Sequence, residues 1–239
     1  MRVGRSLQPV IPHAADDRAL ASELRGFGPG GIIALIAILF TGNFILPYMV
    51  TIPIGTILVL IWARLSRTPW SELGLSRPPN WTTTIAGGIS LGIGLKLLLK
   101  AVVMPLLGAD PVNRYYHFIA GNPAYLPGAV WTMLVAGFGE ELVYRGYLFE
   151  RWRRLFGWTL GSRIAVVLVT SVWFGLSHYF GQGRDGALQS VMTGLTFGTV
   201  TLLTGRIWVA ILAHTVYDLA AAAMIYGNLE VRIAHLFFR

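Results

Sequence analysis

Long apolar segments alternate with short polar ones along this chain of 239 residues. Runs of about 20 mostly apolar residues are long enough to cross the ~30 Å hydrocarbon core of a bilayer as helices. Turn signals rich in proline and glycine separate these runs. The pattern predicts membrane helices at 31–48, 50–63, 83–107, 127–149, 163–180, 187–204 and 207–226.

The first two runs do not divide cleanly. The second is short and contains Pro53, so the two form either a kinked hairpin or one broken element. The pattern therefore predicts an all-α polytopic transmembrane bundle of seven or eight spanning or re-entrant helices. A polar N-terminal arm (residues 1–30) would precede a single integral-membrane domain (residues 31–239).

Composition supports a membrane protein. Hydrophobic residues make up 54% of the chain, charged residues only 13%, and the mean hydropathy is +0.61. Soluble proteins have about a quarter of their residues charged. The net charge of +8 does not indicate a nucleic-acid partner, because the basic residues lie between apolar runs without a recognition motif. Cysteine is absent, which removes disulfides and thiol chemistry.

Basic residues near the helix ends predict the orientation. Twelve arginines fall on the side of the arm and four on the other, which places the N-terminus in the cytoplasm if the first two runs both span the membrane. Lys96 and Lys100 lie within the third run, where snorkelling or pairing along one helix face is expected. The twelve are Arg2, Arg5, Arg18, Arg25, Arg64, Arg67, Arg77, Arg151, Arg153, Arg154, Arg163 and Arg206; the four are Arg114, Arg184, Arg232 and Arg239.

The fourth run contains Glu140, Glu141 and Arg145, and charges inside a membrane indicate function. At 3.6 residues per turn, Glu141 and Arg145 share a helix face, whereas Glu140 is rotated by about 100°. We predict that Glu141 holds Arg145 and that Glu140 faces a cavity. The structural alternative is an ion pair with one spare acid at a water-filled crevice.

Two further runs carry titratable groups four residues apart. Phe174 and His178 share one helix face, and His214 and Asp218 share another. A carboxylate that takes a proton from water, with imidazoles donating to an oxyanion, suits peptide hydrolysis. The same residue types bind zinc, although HExxH is absent. They also serve as proton relays in transporters.

These residues resemble the CAAX prenyl protease type II and bacteriocin-processing family, called CPBP or ABI, which includes Rce1-like proteases. The motifs EExxxR, FxxxH and HxxxD begin at Glu140, Phe174 and His214, in the order and spacing of that family. The resemblance covers a catalytic core of residues 127–226. It implies an all-helical intramembrane endopeptidase of a prokaryotic cell membrane, whose cavity opens to the bilayer and the cytoplasmic face.

The resemblance also implies roles. Glu140 would activate the water, His178 would position it and transfer protons, and His214 would stabilise the oxyanion together with Asp218. An ionised Asp218 would repel an oxyanion, whereas the asparagine of other family members would donate to it. Asp218 is therefore expected to orient His214 through a ring N–H. The residues expected to shape the site are Glu141, Arg145 and Phe174.

The sequence thus predicts an intramembrane endopeptidase for membrane-associated proteins or peptides. Prenylated CAAX-type substrates follow from the resemblance alone. A mechanism without cofactor is favoured; a divalent metal such as zinc is the alternative, with Glu140, His178, His214 and Asp218 as candidate ligands. Two other functions stay open: a non-catalytic immunity or scaffold membrane protein of the same fold, and a small proton-coupled transporter.

Overall fold

The computed structural model describes residues 12–41 and 48–238, which are helical with no strand among them. The predicted all-α fold is confirmed. Residues 42–47, near the end of the first predicted run, lie outside the described residues. The helices are α1 (Pro12–Arg25), α2 (Pro29–Thr41), α3 (Tyr48–Leu65), α4 (Trp81–Leu98), α5 (Met104–Leu106), α6 (Leu126–Glu141), α7 (Leu148–Phe156), α8 (Leu160–Thr204), α9 (Trp208–Tyr226) and α10 (Glu230–Ala234).

Three helices of the described residues are long and apolar enough to cross a membrane. They are α8, α9 and the 26-residue rod Trp81–Leu106, in which a π-helical turn (Leu99–Val103) joins α4 to α5. The pair α1 and α2 reaches that limit only together, with a bend of 55° at the break. Ile85, Ile89 and Ile93 lie exposed on one face of α4, as expected for contact with lipid.

Helix α8 has 45 residues and contains the fifth and sixth predicted helices as two halves. At Gly183 the backbone leaves the helical path with φ 66° and ψ −164°, a positive φ that favours glycine. The halves then pack against each other in antiparallel directions. A methyl group on Gly175 would meet Val191, and one on Gly194 would meet Ser171.

The fourth predicted helix is a continuous path through α6, a π-helical turn (Leu142–Tyr147) and α7. Helix α6 packs against α3 and α9. The approach to α9 is close at Gly137, where a Cβ atom would clash with Thr215. This glycine therefore brings the helix of Glu140 directly against the helix of His214.

Different ion pairs hold the two ends of the bundle. At one end, Arg25 Nη2 and Arg154 Nη2 donate to the two carboxylate oxygens of Glu72 at 2.6 and 3.1 Å. At the other end, Lys100 Nζ lies 3.2 Å from Glu230 Oε1, so this lysine pairs as predicted. We call these the basic end and the loop end, respectively. Which of them faces the cytoplasm stays a prediction.

Candidate active site

The acidic pair lies where α6 passes into the π-helical turn. Glu140 and Glu141 are the last residues of α6, Arg145 belongs to the turn, and all three are buried. Single π-helical turns are frequent at functional sites. Charges buried here need partners, because an unpaired buried charge costs several kcal/mol.

Glu141 connects two of the sequence motifs. Its Oε1 atom accepts a hydrogen bond from Arg145 Nη1 at 2.9 Å, and His214 Nδ1 lies 2.8 Å from the same oxygen. An ionised carboxylate only accepts hydrogen bonds, so Nδ1 of His214 carries the hydrogen. The predicted ion pair is present, and the contact with His214 is one that sequence reasoning missed.

The second nitrogen of His214 lies between two further carboxylates. Its Nε2 atom is 3.5 Å from Glu140 Oε2 and 3.5 Å from Asp218 Oδ2. The ring of Phe197, also missed from sequence, stacks on the imidazole with centroids 5.4 Å apart. The short contact that orients His214 therefore comes from Glu141, and Asp218 lies at the other ring nitrogen.

Phe174 occupies the space between the two imidazoles. Its ring centroid is 4.5 Å from that of His178 and 5.8 Å from that of His214, and the guanidinium carbon of Arg145 lies 4.9 Å over its face. His178 Nδ1 is 2.8 Å from the carbonyl oxygen of Phe174. A carbonyl only accepts, so in the neutral ring Nε2 of His178 is an acceptor.

The three motifs thus meet at one site inside the helices. Residues 122–220 match the family described as type II CAAX prenyl endopeptidase Rce1-like. This match covers less than half of the chain and supports the family resemblance that the three motifs indicated. No curated protein and no solved structure matched the chain. The match indicates a peptidase in general and, together with the apolar helices, an integral membrane protein.

A cavity of about 460 Å³ adjoins the site of this Rce1-like protein on its loop-end side. His178, His214 and Asp218 line its inner part. Glu140, predicted to face a cavity, is not one of the wall residues, and its Oε2 atom lies 3.5 Å from Nε2 of His214, which is one. Aromatic side chains from the loop between α5 and α6 also line the cavity: Tyr115, Tyr116, Phe118 and Tyr125.

Sequence reasoning missed several other wall residues. Lys96, Gln189 and Tyr217 line the same cavity, and only the charge of Lys96 inside an apolar run marked any of them in the sequence. Tyr116 belongs to the loop outside the membrane helices. Burial, followed by the nearby carboxylate of Asp218, raises the pKa of Tyr116, so its hydroxyl stays protonated and can donate a hydrogen bond.

Among residues 12–41 and 48–238, no group of three or more His, Asp or Glu side chains is arranged to hold a metal ion. Of the candidate ligands, His178 has Nδ1 against a backbone carbonyl, and His214 has Nδ1 against Glu141. Only their Nε2 atoms would be suited to a metal.

A second cavity of about 670 Å³ continues from the first towards the loop end. We call it the vestibule; its wall includes Lys100, Asp110, Asp185 and Glu230. The path from the site to the surface therefore runs away from the basic end. The resemblance implied an opening to the cytoplasm, while the arginine distribution placed the basic end there, so these two expectations conflict.

Proposed function

We propose that this Rce1-like protein is an intramembrane endopeptidase that hydrolyses peptide bonds of membrane-associated proteins or peptides. One observation carries the proposal: three motifs meet at His214, whose ring centroid is 5.8 Å from that of Phe174. Its Nδ1 lies 2.8 Å from Glu141 Oε1, and its Nε2 lies 3.5 Å from Glu140 Oε2 and from Asp218 Oδ2. This group borders a cavity within apolar helices, where a polypeptide segment has room to bind.

In the proposed reaction, the oxygen of a water molecule attacks the carbonyl carbon while Glu140 takes a proton from that water. His178 Nε2 accepts the water's other hydrogen bond and positions it. His214, protonated on both nitrogens, donates from Nε2 to the developing oxyanion. The C–N bond then breaks, and the proton held by Glu140 passes to the leaving nitrogen.

The three carboxylates around His214 would have different roles in this reaction. Glu141 fixes the ring through Nδ1 and is shielded from solvent, so it acts as a positioning residue. Glu140 and Asp218 both favour the charged imidazolium at Nε2. Asp218 also places negative charge close to the oxyanion, which opposes the reaction unless the imidazolium lies between them.

The finer substrate class is a prenylated, CAAX-type protein, as the description of the family suggests. The wall of the cavity supports it with aliphatic and aromatic surface from Phe118, Met133 and Ile225. An apolar wall beside a few convergent polar groups suits a substrate that carries a lipid chain.

The test uses the purified protein in lipid nanodiscs with a library of fluorogenic membrane peptides. Replacing Glu140 by Gln should lower kcat by about 10²–10⁴-fold, because general base catalysis is lost. Asp17→Asn, the same chemical change on the exposed N-terminal arm, should leave kcat unchanged. Thermal unfolding would check that both variants are folded.

Normal cleavage by Glu140→Gln would refute the proposed base. Solute flux into proteoliposomes that persists without cleavage would favour a transporter instead. Activity that disappears with a chelator and returns with zinc would overturn the mechanism without metal.

A further inference from the structure

Lys96 lies where the two cavities meet. It belongs to α4, it is only 7% exposed, and it lines both the inner cavity and the vestibule. Its side chain therefore does not snorkel out of the protein, as the sequence had suggested for both lysines of this helix. It ends at an internal space that leads to His214.

The contacts of Lys96 include no carboxylate within ion-pairing distance among the described residues, and the charges of Asp218 and Glu230 act on it only from further away. Nζ is 3.5 Å from Gln189 Oε1, a long hydrogen bond to an oxygen that already accepts from Tyr217 Oη at 3.0 Å. Nζ also lies 4.6 Å from the centroid of the Tyr217 ring. Within the described residues, Lys96 forms no ion pair.

Lys100, one helical turn further along, gives the contrast. It forms an ion pair with Glu230 and donates to the carbonyl oxygen of Pro111. The same helix thus has one lysine in direct contact with a carboxylate and one without such a contact. A buried ammonium without a paired anion costs several kcal/mol, which a purely structural role would not repay at Lys96.

Lys96 is also placed at a definite level above the reacting groups. Helices α4 and α9 run in the same direction, since Trp81 contacts Trp208 at their first residues with ring centroids 5.4 Å apart. A methyl group on Gly92 would meet Ala213. Lys96 therefore lies about one turn, or roughly 5–6 Å, nearer to the loop end than His214.

We propose that Lys96 binds a carboxylate of the substrate and so positions the peptide bond beside His214. The inference rests on the proposed peptidase function and names a carboxylate as the group of the substrate that this cavity recognises. An extended chain advances about 3.3 Å per residue. A carboxylate held at Lys96 therefore places a peptide bond only a few residues away at the imidazole.

The experiment compares three fluorescent membrane peptides of one sequence. The first ends in a free carboxylate, the second in an amide, and the third in an amide that follows an added Asp. Binding is measured by anisotropy in nanodiscs on a Glu140→Gln background. The free carboxylate should bind at least about tenfold more tightly than the amide, which corresponds to roughly 1.4 kcal/mol.

The Lys96→Met variant should lose this preference, and Lys96→Arg should keep most of it. Arg114→Met makes the same change at an exposed cation near the vestibule and should keep the preference. In the cleaving protein, Lys96→Met should raise KM for the free carboxylate more than it lowers kcat. Tight binding of the third peptide would also support the site and would assign an acidic side chain as a source of the carboxylate.

Equal binding of all three peptides by the protein that keeps Lys96 would overturn the inference. A preference for the free carboxylate that survives Lys96→Met would overturn it too. The first of these outcomes needs no Lys96 variant to fold. Both outcomes are measured by binding and do not depend on catalysis, so they can be distinguished from the outcome of the Glu140→Gln cleavage assay. If that assay refuted the proposed base while the carboxylate preference held, Lys96 would still mark an anion site.

Discussion

Replacing Glu141 by Gln tests the internal geometry of the site. The side chain of Glu141 is 0% exposed, and its Oε1 atom contacts Arg145 Nη1 at 2.9 Å and His214 Nδ1 at 2.8 Å. Glutamine keeps the size but leaves the guanidinium of Arg145 buried without its carboxylate. Removing one partner of a buried ion pair costs about 3–5 kcal/mol, so the free energy of unfolding should fall by roughly that amount.

A double-mutant cycle isolates the interaction. Arg145→Met removes the other charge of the pair. The loss of unfolding free energy that Arg145→Met causes should therefore be smaller in the Glu141→Gln protein than in the parent protein, with a coupling energy of about 1–3 kcal/mol. Denaturant titration in mixed micelles measures all four proteins. Arg145→Met combined with Glu230→Gln is the control; Glu230 pairs with Lys100 at the loop end, so these effects should add to within about 0.5 kcal/mol.

The contact with His214 adds a second readout. With Glu141 present, the nitrogen NMR spectrum of the imidazole should show a hydrogen on Nδ1 of His214. Glu141→Gln should lower the fraction of His214 that carries this hydrogen, and it should also lower kcat. An unfolding free energy within about 0.5 kcal/mol of the parent protein, together with additive effects in the cycle, would refute the role of Glu141 as the shared partner of Arg145 and His214.

Three other predictions follow from the structure. Asp218→Asn should retain or raise kcat, because an amide donates to the oxyanion that a carboxylate repels; a loss like that of Glu140→Gln would contradict this. Burial raises the pKa of Glu72, but Arg25 and Arg154 outweigh it and hold that pKa below the ordinary value, so the stabilising effect of Glu72 is present above about pH 4.3 and is lost as the pH falls further. Denaturant titrations of Glu72→Gln should therefore differ from the parent at pH 7 and converge in acid. In this cysteine-free chain, Arg67→Cys and Arg114→Cys should react with an impermeant maleimide from opposite sides of the membrane, Arg67→Cys from the cytoplasm.

The helical path was predictable because long apolar runs have few other stable forms in a bilayer. The rod Trp81–Leu106 lies within two residues of the predicted run at 83–107. The i,i+4 pair of Glu141 and Arg145 was also predictable, since both residues belong to one helical path. Local periodicity is sufficient for features of this kind.

Contacts between helices were not predictable in the same way. His214 and Glu141 are 73 positions apart, and their contact depends on how α6 and α9 are rotated about their axes. The π-helical turn and the stacking of Phe197 on His214 leave no mark in the hydrophobic pattern. The side chain of Lys96 ends at a cavity beside α4, and this cavity forms only when several helices pack together.

The position of that cavity bears on the orientation of the whole protein. Arg25, Arg154 and Glu72 are at one end of the bundle, while the vestibule with Lys100 and Glu230 is at the other. The vestibule therefore opens at the end of the bundle opposite to Arg25, Arg154 and Glu72. If the arginine distribution sets the orientation, as it does for most membrane proteins, substrates enter from the side opposite the cytoplasm. If the maleimide instead labels Arg114→Cys from the cytoplasm, the arginine rule fails here and the site opens to the cytoplasm, as the family resemblance implied.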